Sequence, residues 1–162
     1  MKNLARRIIF GILSVSCCVL IFYFSSQNGD TSSDTSGGFI SFFCELLVPS
    51  FSGFDGENRT EFVESLQHIV RKCAHYSIYF ILAIFLLQFF LTFKRLRKKI
   101  WRPFIVSWAF CILYAATDEL HQYFVPERSS QITDVAIDSL GALSALLISA
   151  LIFALWHKFK RK

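Results

Sequence analysis

Long apolar runs separated by shorter polar stretches dominate the chain. Four runs stand out: Ile8–Phe24, Ala74–Phe93, Pro103–Thr117 and Val135–Trp156. A helix that crosses a bilayer needs about 20 apolar residues, with about 17 as a lower limit. The third run reaches that length only if its helix continues through Asp118 to Gln122, which places polar side chains on its last turn. The pattern predicts an all-α, multi-pass membrane protein: one domain over residues 1–162, with spans at about 8–24, 74–93, 103–122 and 135–156.

The stretch between the first two runs changes character twice. SSQNGDTSSDTSGG, residues 25–38, is small, polar and turn-rich, and is expected to be irregular or mobile. Phe39, Ile40, Phe42, Phe43, Leu46 and Leu47 follow, too apolar for an exposed loop and too few to span, with Pro49 closing the run. An extra interfacial or re-entrant helix fits this segment. Asn58-Arg-Thr-Glu61 reads as a capping box. Phe62, Leu66, Ile69 and Cys73 then recur at helical spacing, so an amphipathic helix is predicted to run unbroken into the second span.

Composition supports the membrane reading. The chain is 54% hydrophobic and carries 19 Phe among 162 residues, more apolar surface than a soluble domain of this size buries. The net charge of +5 would fit a nucleic-acid partner, but its distribution does not. Lys2, Arg6 and Arg7 precede the first span; Lys94, Arg95, Arg97, Lys98, Lys99 and Arg102 join the second to the third; Lys158, Lys160, Arg161 and Lys162 follow the fourth. Thirteen of the 17 basic residues therefore sit on one side, and all 12 acidic residues fall in the other loops or at the helix ends facing them. The positive-inside rule puts both termini in the cytoplasm. A cleaved signal peptide, or a lipoprotein site at Cys17 or Cys18, is the alternative at the N-terminus. The apolar run continues past both cysteines to Phe24 without a clear small-x-small site, so an uncleaved first helix is expected. Cys44 and Cys73 share the outer side and are able to pair, although five cysteines with no repeated spacing give this little support. No CxxC is present, and no metal or other cofactor is expected.

The candidate chemistry lies at the outward ends of the helices, where ionisable groups are expensive and need a reason. Lys72, His75 and Tyr79 share one face at the start of the second span, flanked by Arg71 and Tyr76. For any one of them, headgroup snorkelling, a structural hydrogen bond or an aromatic belt is explanation enough. Asp118, Glu119, His121 and Gln122 end the third span, and Pro126 turns the chain. Asp134 and Asp138 open the fourth span on the face that continues as Gly141, Ala145 and Ser149, a small-residue stripe suited to close helix packing. A capping role explains Asp134; it does not explain Asp138, about 6 Å further along the helix.

Together FSSQ ending at Gln27, Lys72-x-x-His75-x-x-x-Tyr79, DELHQ at 118–122, FVPxR ending at Arg128 and Asp134-x-x-x-Asp138-x-x-Gly141 resemble the VanZ-like family of bacterial membrane proteins, from Phe24 to about Ala145. Glu127 stands where the family often has Gly, and Asp138 where many members have Asn, which makes this site more acidic. The resemblance implies a small multi-helical membrane protein and a link to teicoplanin resistance. The residues themselves supply a candidate polar site of Lys72, His75, Tyr79, Asp118, Glu119, His121, Gln122, Arg128, Asp134 and Asp138, to which the FSSQ motif adds Gln27. The expected partners are membrane lipids and a glycopeptide antibiotic or cell-wall precursor, with no nucleic acid. Three functions compete: a binding or shielding accessory, an enzyme acting on an envelope lipid or cell-wall precursor, and a structural or assembly partner. No nucleophile motif, phosphate-binding glycine loop or HExxH supports the enzyme, although acids and histidines can supply acid/base chemistry.

The charge pattern makes a topological prediction. With the five native cysteines replaced by serine, a cysteine introduced by Lys98→Cys should resist membrane-impermeant thiol reagents in intact cells and react after permeabilisation. Labelling from outside intact cells would contradict the orientation.

Overall fold

The structure is a computed structural model that describes residues 2–28, 37–38, 40–42, 44–46, 56–126 and 130–160. Among them it is helical throughout, with short turns. The long elements are α1 (Lys2–Ser25), α2 (Gly56–Phe90), α4 (Trp101–Gln122) and α5 (Ile132–Lys160), with the short α3 (Lys94–Arg97) between α2 and α4. All four long helices are apolar enough to cross a membrane. Their large apolar side chains face outward, as Val15, Leu113 and Leu151 do, each at least 60% exposed. In lipid this exposure carries no hydrophobic penalty, because hydrocarbon tails are as apolar as the side chains.

The chain runs up and down. Arg7, near the start of α1, donates from Nε to Thr92 Oγ1 (3.1 Å) just beyond the end of α2, and Arg6 bonds Gln88 close by. At the opposite end Gln122 of α4 reaches Ser25 of α1, and Lys72 of α2 reaches Asp134 of α5. The clustered basic residues therefore gather at one end of the bundle and the polar motifs at the other. Helix α2 is the centre: α1, α4 and α5 all pack on it, and α4 also packs on α5. Tyr79, Leu82, Ala83, Cys111, Ala115 and Ala142 form the fully buried heart of the core.

The closest approach is between α2 and α5. A Cβ placed on Gly141 would collide with the Tyr76 backbone carbonyl, so only glycine allows this crossing. Tyr76 Oη and Ser144 Oγ share a 2.6 Å hydrogen bond across the same contact. The small-residue stripe is thus the packed face, with Ala145 1% exposed.

Several boundaries move relative to the sequence reading. Helix α2 begins at Gly56, so Asn58 lies inside it rather than capping it. It ends at Phe90 instead of Phe93, where Thr92 turns its hydroxyl onto the Phe89 carbonyl (2.7 Å). Helix α5 starts at Ile132 and extends to Lys160, at both ends beyond the apolar run that predicted it. At about 1.5 Å per residue its 29 residues exceed a hydrocarbon core of about 30 Å. The described residues between 37 and 46 are helical; Ile40 and Cys44 bury against Val63 on the N-terminal extension of α2. Cys44 and Cys73 are both free thiols. The polar stretch over 29–36 lies outside the described residues.

The crossing at Gly141 predicts a backbone-limited packing defect. Gly141→Ala should cost about 1–3 kcal/mol, the usual cost of overpacking. Gly56→Ala, which meets open space, should be near neutral. Thermal unfolding of the purified protein in detergent checks the pair, and equal melting temperatures would contradict the contact.

Candidate functional site

The polar end is built in two layers by helix geometry. Residues four apart on a helix stack on one face about 6 Å apart along the axis. On α2 this places Lys72 about one turn above His75 and Tyr79 deeper still; on α5 it places Asp134 above Asp138. The two faces meet because Gly141 lets the backbones approach.

In the upper layer Lys72 Nζ lies 3.2 Å from Asp134 Oδ1, with both side chains about one-quarter exposed. Asp134 sits in the first turn of α5, where the helix dipole also favours a negative charge. In the lower layer His75 Nδ1 lies 3.6 Å from Asp138 Oδ2. That distance is beyond direct hydrogen bonding. Asp138 is 1% exposed, and its Oδ1 has no hydrogen-bond partner among the described residues. The Tyr79 hydroxyl below is also buried and has no hydrogen-bond partner among the described residues; it lies within electrostatic range of Asp118 and Asp138. A small cavity of about 60 Å³ opens between these layers. Arg71, Lys72 and His75 line it from α2, Asp134, Ile137 and Asp138 from α5, with Gln122 and Gln131 beside them.

Helix α4 contributes a separate, more structural network. Asp118, Glu119 and Gln122 are all buried. Gln122 Nε2 donates to Asp118 Oδ2 (3.1 Å) and to Ser25 Oγ (3.2 Å), tying the last turns of α4 and α1 together. Glu119 Oε2 accepts the Gln131 backbone N–H (2.9 Å), fixing the entry into α5. His121 is turned the other way: its ring stacks on Phe22 of α1, with centroids 4.6 Å apart. Asp118 and His121, three residues apart, thus meet different neighbours: Gln122 for the first and Phe22 for the second. Among the described residues no three His, Cys, Asp or Glu side chains are grouped to hold a metal ion.

The VanZ/LLP1 family model matches residues 10–154. The chain belongs to this family. No curated protein and no solved structure matches it. This VanZ/LLP1 protein is a multi-pass membrane protein whose four long helices are suited to lipid contact.

Of the residues singled out in the sequence, Lys72, His75, Gln122, Asp134 and Asp138 meet around the cavity. Tyr79 lies beneath it, and Asp118 and Glu119 brace it from α4. His121 is directed to α1, and Gln27 occupies the bend after α1, partly buried. Arg128 lies outside the described residues, as does Glu127. Sequence reading missed Ser25, 1% exposed and bonded to Gln122, although it stands in the FSSQ motif. It also missed Gln131, whose role is carried by a backbone N–H that side-chain pattern does not reveal.

Proposed function

We propose that this VanZ/LLP1 protein is a membrane accessory that lowers sensitivity to teicoplanin-type, cell-wall-directed antibiotics through the polar site, facing outward with both termini cytoplasmic. The observation that supports the reading best is the Asp138 carboxylate, 1% exposed beside His75 and lining an open cavity. A buried charge that only held helices together would be expected to have both oxygens satisfied, since leaving a charged group partly unpaired is costly. A free oxygen on a cavity wall is what a ligand site retains.

The cavity also limits the mechanism. At about 60 Å³ it takes a small chemical group and is far too small for a whole glycopeptide. The effect on the antibiotic is accordingly shielding or remodelling at the membrane surface, through a small group held at Asp138. A second reading, an enzyme acting on an envelope lipid or cell-wall precursor, draws on the same pair: a histidine oriented by a buried carboxylate is a common general base.

Teicoplanin susceptibility tests the proposal at matched membrane levels of protein. Lys72→Ala combined with His75→Ala should raise susceptibility to that of a deletion strain. Unchanged susceptibility on complete deletion would remove the antibiotic function. Under the enzyme reading, deletion also changes the abundance of an envelope lipid or precursor, seen by comparing lipid extracts.

A further inference from the structure

We propose that the cavity binds a zwitterionic headgroup in which a primary ammonium and a phosphate are joined by a short linker, as in phosphatidylethanolamine. The inference rests on the polar site being a ligand site, and adds what it recognises.

The charges carry the argument. Lys72 and Asp134 neutralise each other at 3.2 Å. Asp118 is bonded to Gln122. His75 Nδ1 faces Asp138 Oδ2 at 3.6 Å and leaves Oδ1. Two positions on the cavity wall remain. Arg71, partly exposed in the upper layer, has no hydrogen bond or ion pair among the described residues. Asp138 Oδ1, in the lower layer, likewise has no hydrogen-bond partner. One cation above and one anion about a helical turn below form a fixed dipole, with about 6 Å between layers. A ligand that matches it carries an anion at the upper end and a compact cation with N–H donors at the lower end. An aminoethyl phosphate does so: its phosphate meets Arg71 and its ammonium donates to Asp138 Oδ1.

Size agrees. A water needs about 10–15 Å³ of such space, so the cavity holds the equivalent of about four to six waters, enough for an aminoethyl group. A trimethylammonium group is bulkier and has no N–H to donate. A glycerol headgroup has donors but no cation. The cavity also sits where α1 and α4 end and α5 begins, the end of the bundle that headgroups meet when these helices span a bilayer.

The test uses the full-length protein in nanodiscs of dioleoyl lipids, with equal phosphatidylethanolamine and phosphatidylcholine over a phosphatidylglycerol background. Lipids retained on the protein are counted by native mass spectrometry. The native protein should retain phosphatidylethanolamine preferentially. Asp138→Asn should lower that preference about tenfold, and Arg71→Gln should lower the amount of phosphatidylethanolamine retained about tenfold, as expected for one charged hydrogen bond each. Arg71 is partly exposed, so its variant stays informative even if Asp138→Asn folds poorly. Soluble O-phosphoethanolamine separates the sources: if it displaces the retained lipid the headgroup alone is recognised, and if it does not the acyl chains contribute. Both results support the proposal. Equal retention of ethanolamine and choline lipids by the native protein, or undiminished retention of phosphatidylethanolamine in Arg71→Gln, overturns it. Either failure leaves the susceptibility test untouched, because lipid retention is read without the antibiotic.

Discussion

The bundle depends on a carboxylate placed where two helices nearly touch. Asp138 is on the face of α5 that Gly141 brings against the Tyr76 backbone, and there it faces His75. Without the glycine the helices stand further apart, and the lower layer of the polar end opens. Without His75 the carboxyl loses the side chain that faces its Oδ2. Stranding a buried polar group costs about 1–3 kcal/mol. The arrangement therefore favours one register of α2 against α5.

The two ends of the bundle follow different rules. At the basic end, Arg6 and Arg7 bind Gln88 and Thr92, and no acidic side chain meets them among the described residues. That end suits a surface of anionic headgroups. At the polar end each carboxyl meets a donor-bearing side chain: Asp134 meets Lys72, Asp138 faces His75, and Asp118 accepts from Gln122. The first end is a cluster of basic charge and the second a defined network with a cavity in it. Charge in the first is read by number, whereas in the second it is read by position.

The fold was largely legible because a bilayer leaves few options. Every spanning segment must satisfy its own backbone, so apolar length translates directly into helices. The fate of Lys72, His75, Asp134 and Asp138 was also legible, because helical spacing puts each pair on one face and Gly141, Ala145 and Ser149 mark which face is packed. His121 shows where spacing runs out. It stands three residues from Asp118, yet the ring turns to Phe22, a partner on a helix nearly 100 residues earlier in the chain. Ser25 and Gln131 were hidden for a related reason: their importance comes from being met by Gln122 and Glu119, not from their own pattern. The start of α2 at Gly56 was missed because Asn58 and Glu61 imitate a cap inside a helix.

The central claim is that His75 and Asp138 act as one unit across the α2–α5 crossing. A double-mutant cycle with His75→Ala and Asp138→Asn, read by thermal unfolding in detergent, measures it directly. The account predicts non-additivity above about 0.5 kcal/mol, the scatter expected for independent sites. Two single effects that simply add would show that the residues are neighbours without being partners.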